Sequence, residues 1–422
     1  MSGNFFYYLV LFTFLFAAIY FFLPEIMLHF LGIGSWKRQY SPGVTITFDD
    51  GPDPKYTPAL LNILARANVK ACFFLVGEKA EKNPALVKMI WDQGHQIGSH
   101  GYFHKHAWLM SPQATWENWD KGINTIKQII GKEPDYIRPP WGACNLSLYL
   151  WSLARNKRIV GWNAKGKDWK EKRTSSAIIK NILAKTSEGT IILLHDSGGE
   201  QSAPKNTLAC LEELLRKIKK ELKLPFVPLE FPDWPLSRRI AFRFWEKWEH
   251  LYAKIHGVRR IDEQNIFRLS LTKYRGPDLY DEKGTLLARK GDCIGEIHFD
   301  NIRFQAAGSN LQRAGIKALK LVRQSLPVLA EYLTTQPEFR DVKVYVGTTL
   351  LNKGAQGLGF NVLDYPYSNG YLIGILQKII MRIYHPAGKK RKTESLDRKP
   401  KMVWISKDKL LDMYQRSEKN IS

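Results

Sequence analysis

Two carboxylates, Asp49 and Asp50, stand side by side in the stretch TFDDGPDP (residues 47–54), directly before a Gly-Pro turn. Like charges this close repel, and neighbouring side chains of a strand point to opposite faces, so the two acids are expected to meet different partners. Further on, SHGYFH (99–104) spaces His100 and His104 as His-x-x-x-His. That spacing can set two imidazoles on one side of a helical turn or compact loop, a common ligand pair for zinc, and a carboxylate as third ligand leaves a position open for water. Each feature alone is weak, since paired acids at a turn usually cap or solvate, and the nearby His106 reads as surface decoration. Three more polar clusters follow: RPPWG (138–142), KDW (167–169) and LLHD (193–196).

These residues need a frame that brings them together. From Val44 the sequence alternates short apolar runs at 44–47, 71–76, 96–98, 136–138, 159–162, 191–194 and 226–229 with helical stretches at 58–67, 85–93, 112–130 and 208–222. In the last helix Leu211, Leu214, Leu215 and Ile218 fall at helical spacing. Such regular strand–helix alternation predicts a parallel α/β fold, a distorted (β/α) barrel of about seven strands. Each polar cluster then falls at the C-terminal end of a strand, the face on which such barrels carry their active sites. No open-sheet nucleotide fingerprint is present.

The chain has 422 residues, 44% hydrophobic and 24% charged, an ordinary globular composition with room for two or three domains. The net charge of +23 favours a polyanionic partner such as nucleic acid, anionic lipid or an acidic cell-wall polymer. With no zinc knuckle, RNP-like motif or Arg-rich recognition helix, nucleic acid is set aside. The scattered cysteines Cys72, Cys144, Cys210 and Cys293 form no CxxC pair and read as small buried hydrophobes rather than a disulfide framework. Residues 5–23 are an uncharged apolar run long enough to span a bilayer, ended by Pro24-Glu25 and lacking the charged start and cleavage site of a signal peptide. Residues 1–35 are therefore read as an uncleaved anchor. Lys37 and Arg38 follow the run and no Lys or Arg precedes it, which by the positive-inside rule would put the main domain inside, although long domains translocate largely regardless of charge. Prolines 225, 228, 232 and 235 mark a boundary, so a first domain covers 36–232 and a second, α+β domain 233–422. Within the second, residues 236–256 read as a basic, aromatic amphipathic helix, His298 and Asp300 as residues of an alternating strand, and 388–401 as a charged loop.

The ordered set TFDDGPD, His100-to-His104, RPPWG, DW and LLHD resembles the five motifs of the polysaccharide deacetylase family, also called the NodB-homology or carbohydrate esterase 4 family, over roughly residues 42–230. The resemblance implies a divalent metal, usually zinc but also another such as cobalt, held by Asp50, His100 and His104. Asp49 would be the general base on the attacking water, with Arg138 pairing it and fixing its orientation. His195 would be the general acid to the leaving amine, with Asp168 or Asp196 available to compensate for a cation near it. A backbone N–H near Trp141 would complete the oxyanion site, and Trp169 and Leu193 would wall the acetyl pocket. Two departures stand out: Gly101 where Ser or Thr is usual, and Lys165 where many members carry an acid that tunes the acid histidine. A lysine close to His195 would depress its pKa. The implied activity is removal of N-acetyl groups from an amino-sugar polymer, peptidoglycan first and chitin oligomers or poly-N-acetylglucosamine next. That implies a single-pass membrane protein, monomeric, with its catalytic domain outside the cytoplasm. The alternative is a glycan-binding protein with weakened catalysis, for which Lys165 is the main argument. The second domain weakly resembles uncharacterised domains appended to some Gram-positive deacetylases, which assigns it no activity.

Overall fold

A parallel sheet of eight strands forms the frame of the first half of the chain: β1 (Ser35–Trp36), β2 (Thr45–Asp49), β3 (Cys72–Leu75), β4 (Gln96–Ser99), β5 (Tyr136–Ile137), β6 (Arg158–Val160), β7 (Ala164–Lys165) and β8 (Ile191–His195). The computed structural model describes residues 2–39, 43–232, 234, 236–262, 265–300, 311–350, 352, 354–384 and 399–414. The strand order is β1-β6-β5-β4-β3-β2-β8-β7, a curled half-barrel with β1 and β7 at its edges, in keeping with the distorted barrel of about seven strands expected from the sequence. Both edge strands are two residues long, too short to produce a periodic signal. The expected strand at 226–229 is reduced to a single bridge between Phe226 and Val44.

Alternation along β2 explains how the sheet separates core from site. Val44, Ile46 and Phe48 point to the face covered by helices, where they join Leu60, Leu211 and Leu214 in the largest apolar cluster. Thr45, Thr47 and Asp49 take the opposite, concave face. On that face Cys72, Phe74, Val160 and Ile191 pack with Trp36 and Phe231. The helix Pro112–Ile130 starts on a Ser111 cap that accepts the Ala114 amide, with proline in its first turn, and ends at Gly131 in the left-handed region (φ 73°). It buries Thr115, Asn118, Trp119, Gly122, Ile123 and Ile126, the stripe that a helix lying on a sheet requires.

The N-terminal apolar helix does not stop at Pro24-Glu25 but continues to Leu31, with π-type turns at Ala18–Phe22 and Ile26–Leu31. The wider turn before Pro24 bonds the Leu23 amide to the Ala18 carbonyl, five residues back. Residues Asn4–Leu31 are long and apolar enough to cross a membrane. The segment after Phe22 is part of the folded domain: Leu28, 1% exposed, packs with Trp119, Leu148 and Trp151.

The chain divides into units Met1–Ile240 and Ala241–Ser422. The second unit has a mixed six-stranded sheet in the order Asn361–Asp364, Lys401–Ser406, Val344–Thr349, Cys293–Phe299, Phe267–Lys273, Arg259–Arg260. Helices Leu311–Thr335 and Lys407–Tyr414 supply Leu326, Leu329 and Leu410 to its core. His298 meets Ser270 across the sheet, and Asp300 is taken by Arg260 and Arg268, in keeping with strand residues rather than ligands. Cys72, Cys144 and Cys210 are buried free thiols, whereas Cys293, at the start of a strand, is exposed, contrary to expectation. Residues 388–398 of the expected charged loop lie outside the described residues.

Candidate active site and metal centre

At the C-terminal edge of the sheet, Asp49 is the last residue of β2 and Asp50 the first beyond it. Asp50 adopts φ 72°, a left-handed conformation that few non-glycine residues take. This turn brings its Oδ1 to 3.2 Å from His100 Nε2 and 3.0 Å from His104 Nε2. The ligand atoms of Asp50, His100 and His104 lie within 4.8 Å of one another, the one such group found among the described residues. Burial raises the pKa of the Asp50 carboxyl, but the hydrogen bonds from both imidazoles outweigh it and hold it well below the usual carboxylate range.

His100 leaves the end of β4 and donates its Nδ1 proton to the Arg138 carbonyl at 2.5 Å, which points Nε2 at Asp50. A ligating histidine whose second nitrogen is fixed by a carbonyl is the usual supporting arrangement of a metal site. The loop to His104 is held by Asn118 of the helix behind it, whose Oδ1 accepts the Phe103 amide at 2.7 Å and whose carbonyl accepts the Tyr102 amide at 3.0 Å. Gly101 sits at φ 81°, where a Cβ would come within 2.8 Å of Asn118 Nδ2, so the residue that departs from the family pattern is the one this loop requires. A nitrogen–oxygen donor set of two imidazoles and one carboxylate fits a divalent metal such as zinc.

Asp49 faces a different cation. Its Oδ1 accepts from Arg138 Nη1 at 2.7 Å, and the same nitrogen reaches Thr47 Oγ1 at 2.7 Å. Arg138 is 0% exposed, and its remaining donors bind the carbonyls of Val160 and Gly161, both at 3.1 Å. Its guanidinium also stacks 4.1 Å from the centre of the Phe74 ring.

His195 ends β8 beside Asp49 in the register of the two strands. Asp168 Oδ2 accepts the His195 amide at 2.7 Å and the Thr207 hydroxyl at 2.8 Å, while Oδ1 accepts from the ring Nδ1 at 3.1 Å. Burial opposes the imidazolium, but the charge and hydrogen bond of Asp168, with Asp50 and Asp49 behind it, lift the His195 pKa to about 9. Lys165 does not produce the depression anticipated from its position; it is exposed, with Nζ 5.6 Å from the Trp169 ring and 5.9 Å from that of Trp162. Trp169 stands edge-on to His195 at 5.4 Å, and Leu193 is buried on β8. Trp141, 63% exposed and in the left-handed region (φ 57°), lies 4.4 Å from the His104 ring and 5.5 Å from that of His106.

Sequence reading singled out none of Thr47, Thr207 or Lys79. Lys79 Nζ donates to the Asp50 carbonyl at 2.8 Å and to Ser197 Oγ at 2.7 Å, supporting the strained turn from below. Nothing in the spacing of GEKAEK around Lys79 signals this role. Asp196, the other acid near His195, is turned away from it: Thr57 donates to its Oδ2 at 2.5 Å, and burial pushes its pKa up to about 7.

A curled parallel sheet with these three pairings at its C-terminal edge, over residues that carry five motifs in order, defines a polysaccharide deacetylase domain. The chain belongs to the polysaccharide deacetylase family: residues 37–157 match the family described as "Polysaccharide deacetylase", and residues 238–414 match the "YkoP domain". It is 36% identical over 174 residues to a peptidoglycan-N-acetylglucosamine deacetylase of Bacillus cereus, covering 39% of this chain and 63% of that protein. A second B. cereus protein of that name is 33% identical over 180 residues, covering 42% and 82%. The peptidoglycan-N-acetylglucosamine deacetylase PgdA of Listeria monocytogenes is 35% identical over 188 residues, 44% of this chain and 38% of that protein. The chain thus spans less than two thirds of the first and third of these relatives. Among solved structures, a peptidoglycan N-acetylglucosamine deacetylase in complex with 4-naphthalen-1-yl-N-oxidanyl-benzamide is 33% identical, covering 45% of this chain and 89% of that one, with a TM-score of 0.42.

Proposed function

We propose that the protein is a membrane-anchored, metal-dependent deacetylase that hydrolyses N-acetyl groups of an amino-sugar polymer, with peptidoglycan as its first substrate and its catalytic domain, residues 36–232, outside the cytoplasm. The observation that carries this reading is the separation of the two adjacent acids, Asp49 to Arg138 and Asp50 to His100 and His104. The names of the relatives support the substrate class. Retention of the N-terminal helix is supported by Leu28, whose removal would leave a cavity in the packing around Trp119 and Trp151.

Asp50, His100 and His104 would hold the metal, which when bound acidifies water and polarises the acetamide carbonyl. Asp49, oriented by Arg138, takes the proton of the attacking water. His195 carries its proton at neutral pH and donates Nε2–H to the leaving amine, Nδ1 being fixed on Asp168. In the RPPWG turn the prolines carry no N–H, and the amides of Gly142, Ala143 and Cys144 go to Pro139 O, Pro140 O and Glu25. The Trp141 amide is thereby the candidate donor to the oxyanion. Trp169 and Leu193 close the space beside His195 against water.

The test is acetate release by the full-length protein, loaded with zinc or cobalt, from peptidoglycan fragments and N-acetylglucosamine oligomers. Release that is abolished by EDTA and by Asp49→Asn supports the proposal. Retained binding of the polymers with no acetate from any of them would leave only the glycan-binding alternative.

A further inference from the structure

The helix Asn4–Leu31 carries one acidic and one imidazole side chain, Glu25 and His29, and both leave the apolar surface to meet the end of the RPPWG turn and the residues just after it. Glu25 Oε1 accepts the Cys144 amide at 2.7 Å. His29 Nε2 lies 2.9 Å from the Gly142 carbonyl and 3.0 Å from Glu25 Oε2, so its N–H is shared between them. The Trp108 ring packs 5.6 Å from Phe21 and 5.4 Å from Phe22. Tyr20 reaches the Met110 carbonyl at 3.4 Å. Aromatic contacts then run without a break from the helix through Trp108, His106 and Trp141 to His104.

A charged side chain in or beside a membrane span is costly unless it has a specific partner. Here the partners are the backbone groups on either side of Ala143, the Gly142 carbonyl and the Cys144 amide, directly after Trp141, which is held in a left-handed conformation. Strained backbone of this kind persists only where its surroundings over-determine it. We propose that Glu25 and His29 are positioning residues of the active site: the anchor helix clamps the turn that presents the Trp141 amide and ring, so the deacetylase site is complete only with its membrane helix docked. This inference rests on the deacetylase reading for its kinetics and on geometry alone for its structural effect.

The full-length protein in lipid nanodiscs, with Glu25→Ala/His29→Ala against wild type, separates these. With an N-acetylglucosamine tetramer as substrate, kcat falls about 10- to 100-fold in the double variant, the scale of loss from a misplaced catalytic group. KM and bound zinc stay within twofold, because the interaction lost is one made in the transition state. Glu25→Gln, which keeps an acceptor for the Cys144 amide, and His29→Gln, which keeps a donor for Gly142, recover most of the rate. Phe12→Ala, at an exposed position of the same helix, leaves it unchanged. Independently of activity, the fluorine resonance of 5-fluorotryptophan at position 141, assigned by Trp141→Phe, shifts or broadens in Glu25→Ala/His29→Ala and returns in the glutamine variants. An active wild type with an equally active double variant overturns the clamp and leaves the deacetylase reading standing. A wild type that releases no acetate overturns that reading, and the clamp is then decided by the resonance: an unmoved line refutes it.

Discussion

Arg138 offers the most direct test of how the site is held together, because one buried side chain serves both the fold and Asp49. In Arg138→Met the guanidinium is lost from a position with 0% exposure, leaving the Asp49 carboxylate buried without its cation and the carbonyls of Val160 and Gly161 without donors. Removing one partner of a buried ion pair costs about 3–5 kcal/mol. For a domain of this size each kcal/mol moves Tm by roughly 2–4 °C, so Arg138→Met should melt about 6–20 °C below wild type. Asp49→Asn should cost less, since Arg138 keeps Thr47, Val160 and Gly161 as acceptors. The double variant no longer buries an unpaired carboxylate and should melt above Arg138→Met alone, a coupling of about 1–3 kcal/mol. Thermal unfolding of the full-length protein in detergent, followed by near-ultraviolet circular dichroism, gives all four values. Acetate release supplies the functional half: both single variants and the double should fall to one common floor, because the pair acts as a unit. An Arg138→Met protein melting within about 2 °C of wild type, or strict additivity of the two substitutions, would refute the reasoning.

Asp50→Asn should keep its turn, since Asn tolerates the left-handed region, yet lose zinc by equilibrium dialysis, whereas Asp49→Asn should keep zinc and lose turnover; the reverse pattern would exchange the two roles. In EDTA-treated protein the His195 ring should titrate near 9 by NMR and fall in Asp168→Asn, and a wild-type value near 6.5 would remove Asp168 as its tuner. Because this pKa is raised in the folded state, the stability it contributes is complete below the unfolded value of about 6.5 and fades as pH climbs through about 9. Gly101→Ser forces a side chain into φ 81° beside Asn118 and should lower stability by about 1–2 kcal/mol in denaturant melts, with weaker zinc binding; an unchanged protein would mean that the loop relaxes freely.

How much of this was legible in the sequence depends on what each feature rests on. The parallel α/β architecture follows from apolar runs and helical stripes, and the candidate site residues stand out in the sequence because their types are chemically unusual at strand ends. The edge strands β1 and β7 were not legible, since a pair of residues has no period, so neither enters the strand count read from the sequence. Thr207 and Lys79 were missed for another reason: each acts by meeting a backbone group or carboxylate that comes from a distant part of the chain. The docking of Glu25 was hidden too, because Pro24-Glu25 looks like the end of a span, whereas the π-type turn lets the helix run on to the Cys144 amide.

Strand alternation alone does not account for the two acids. Continued extension of β2 past Asp49 would put Asp50 on the face of Ile46 and Phe48, under the helices and away from the histidines. The strand has to break at Asp50, and the left-handed turn that breaks it carries a cost of order 1–2 kcal/mol for a residue with a Cβ. That cost is offset locally: Lys79 binds the Asp50 carbonyl, and Gly198, where a Cβ would come within 2.4 Å of Asp50 Oδ2, leaves room for the turned side chain. The repulsion between neighbouring carboxylates is met in the same geometry, since Arg138 neutralises one and two imidazoles receive the other. Asp49 can stay a strand residue because its partner Arg138 meets it on the concave face, and Asp50 cannot, because His100 and His104 wait at the rim.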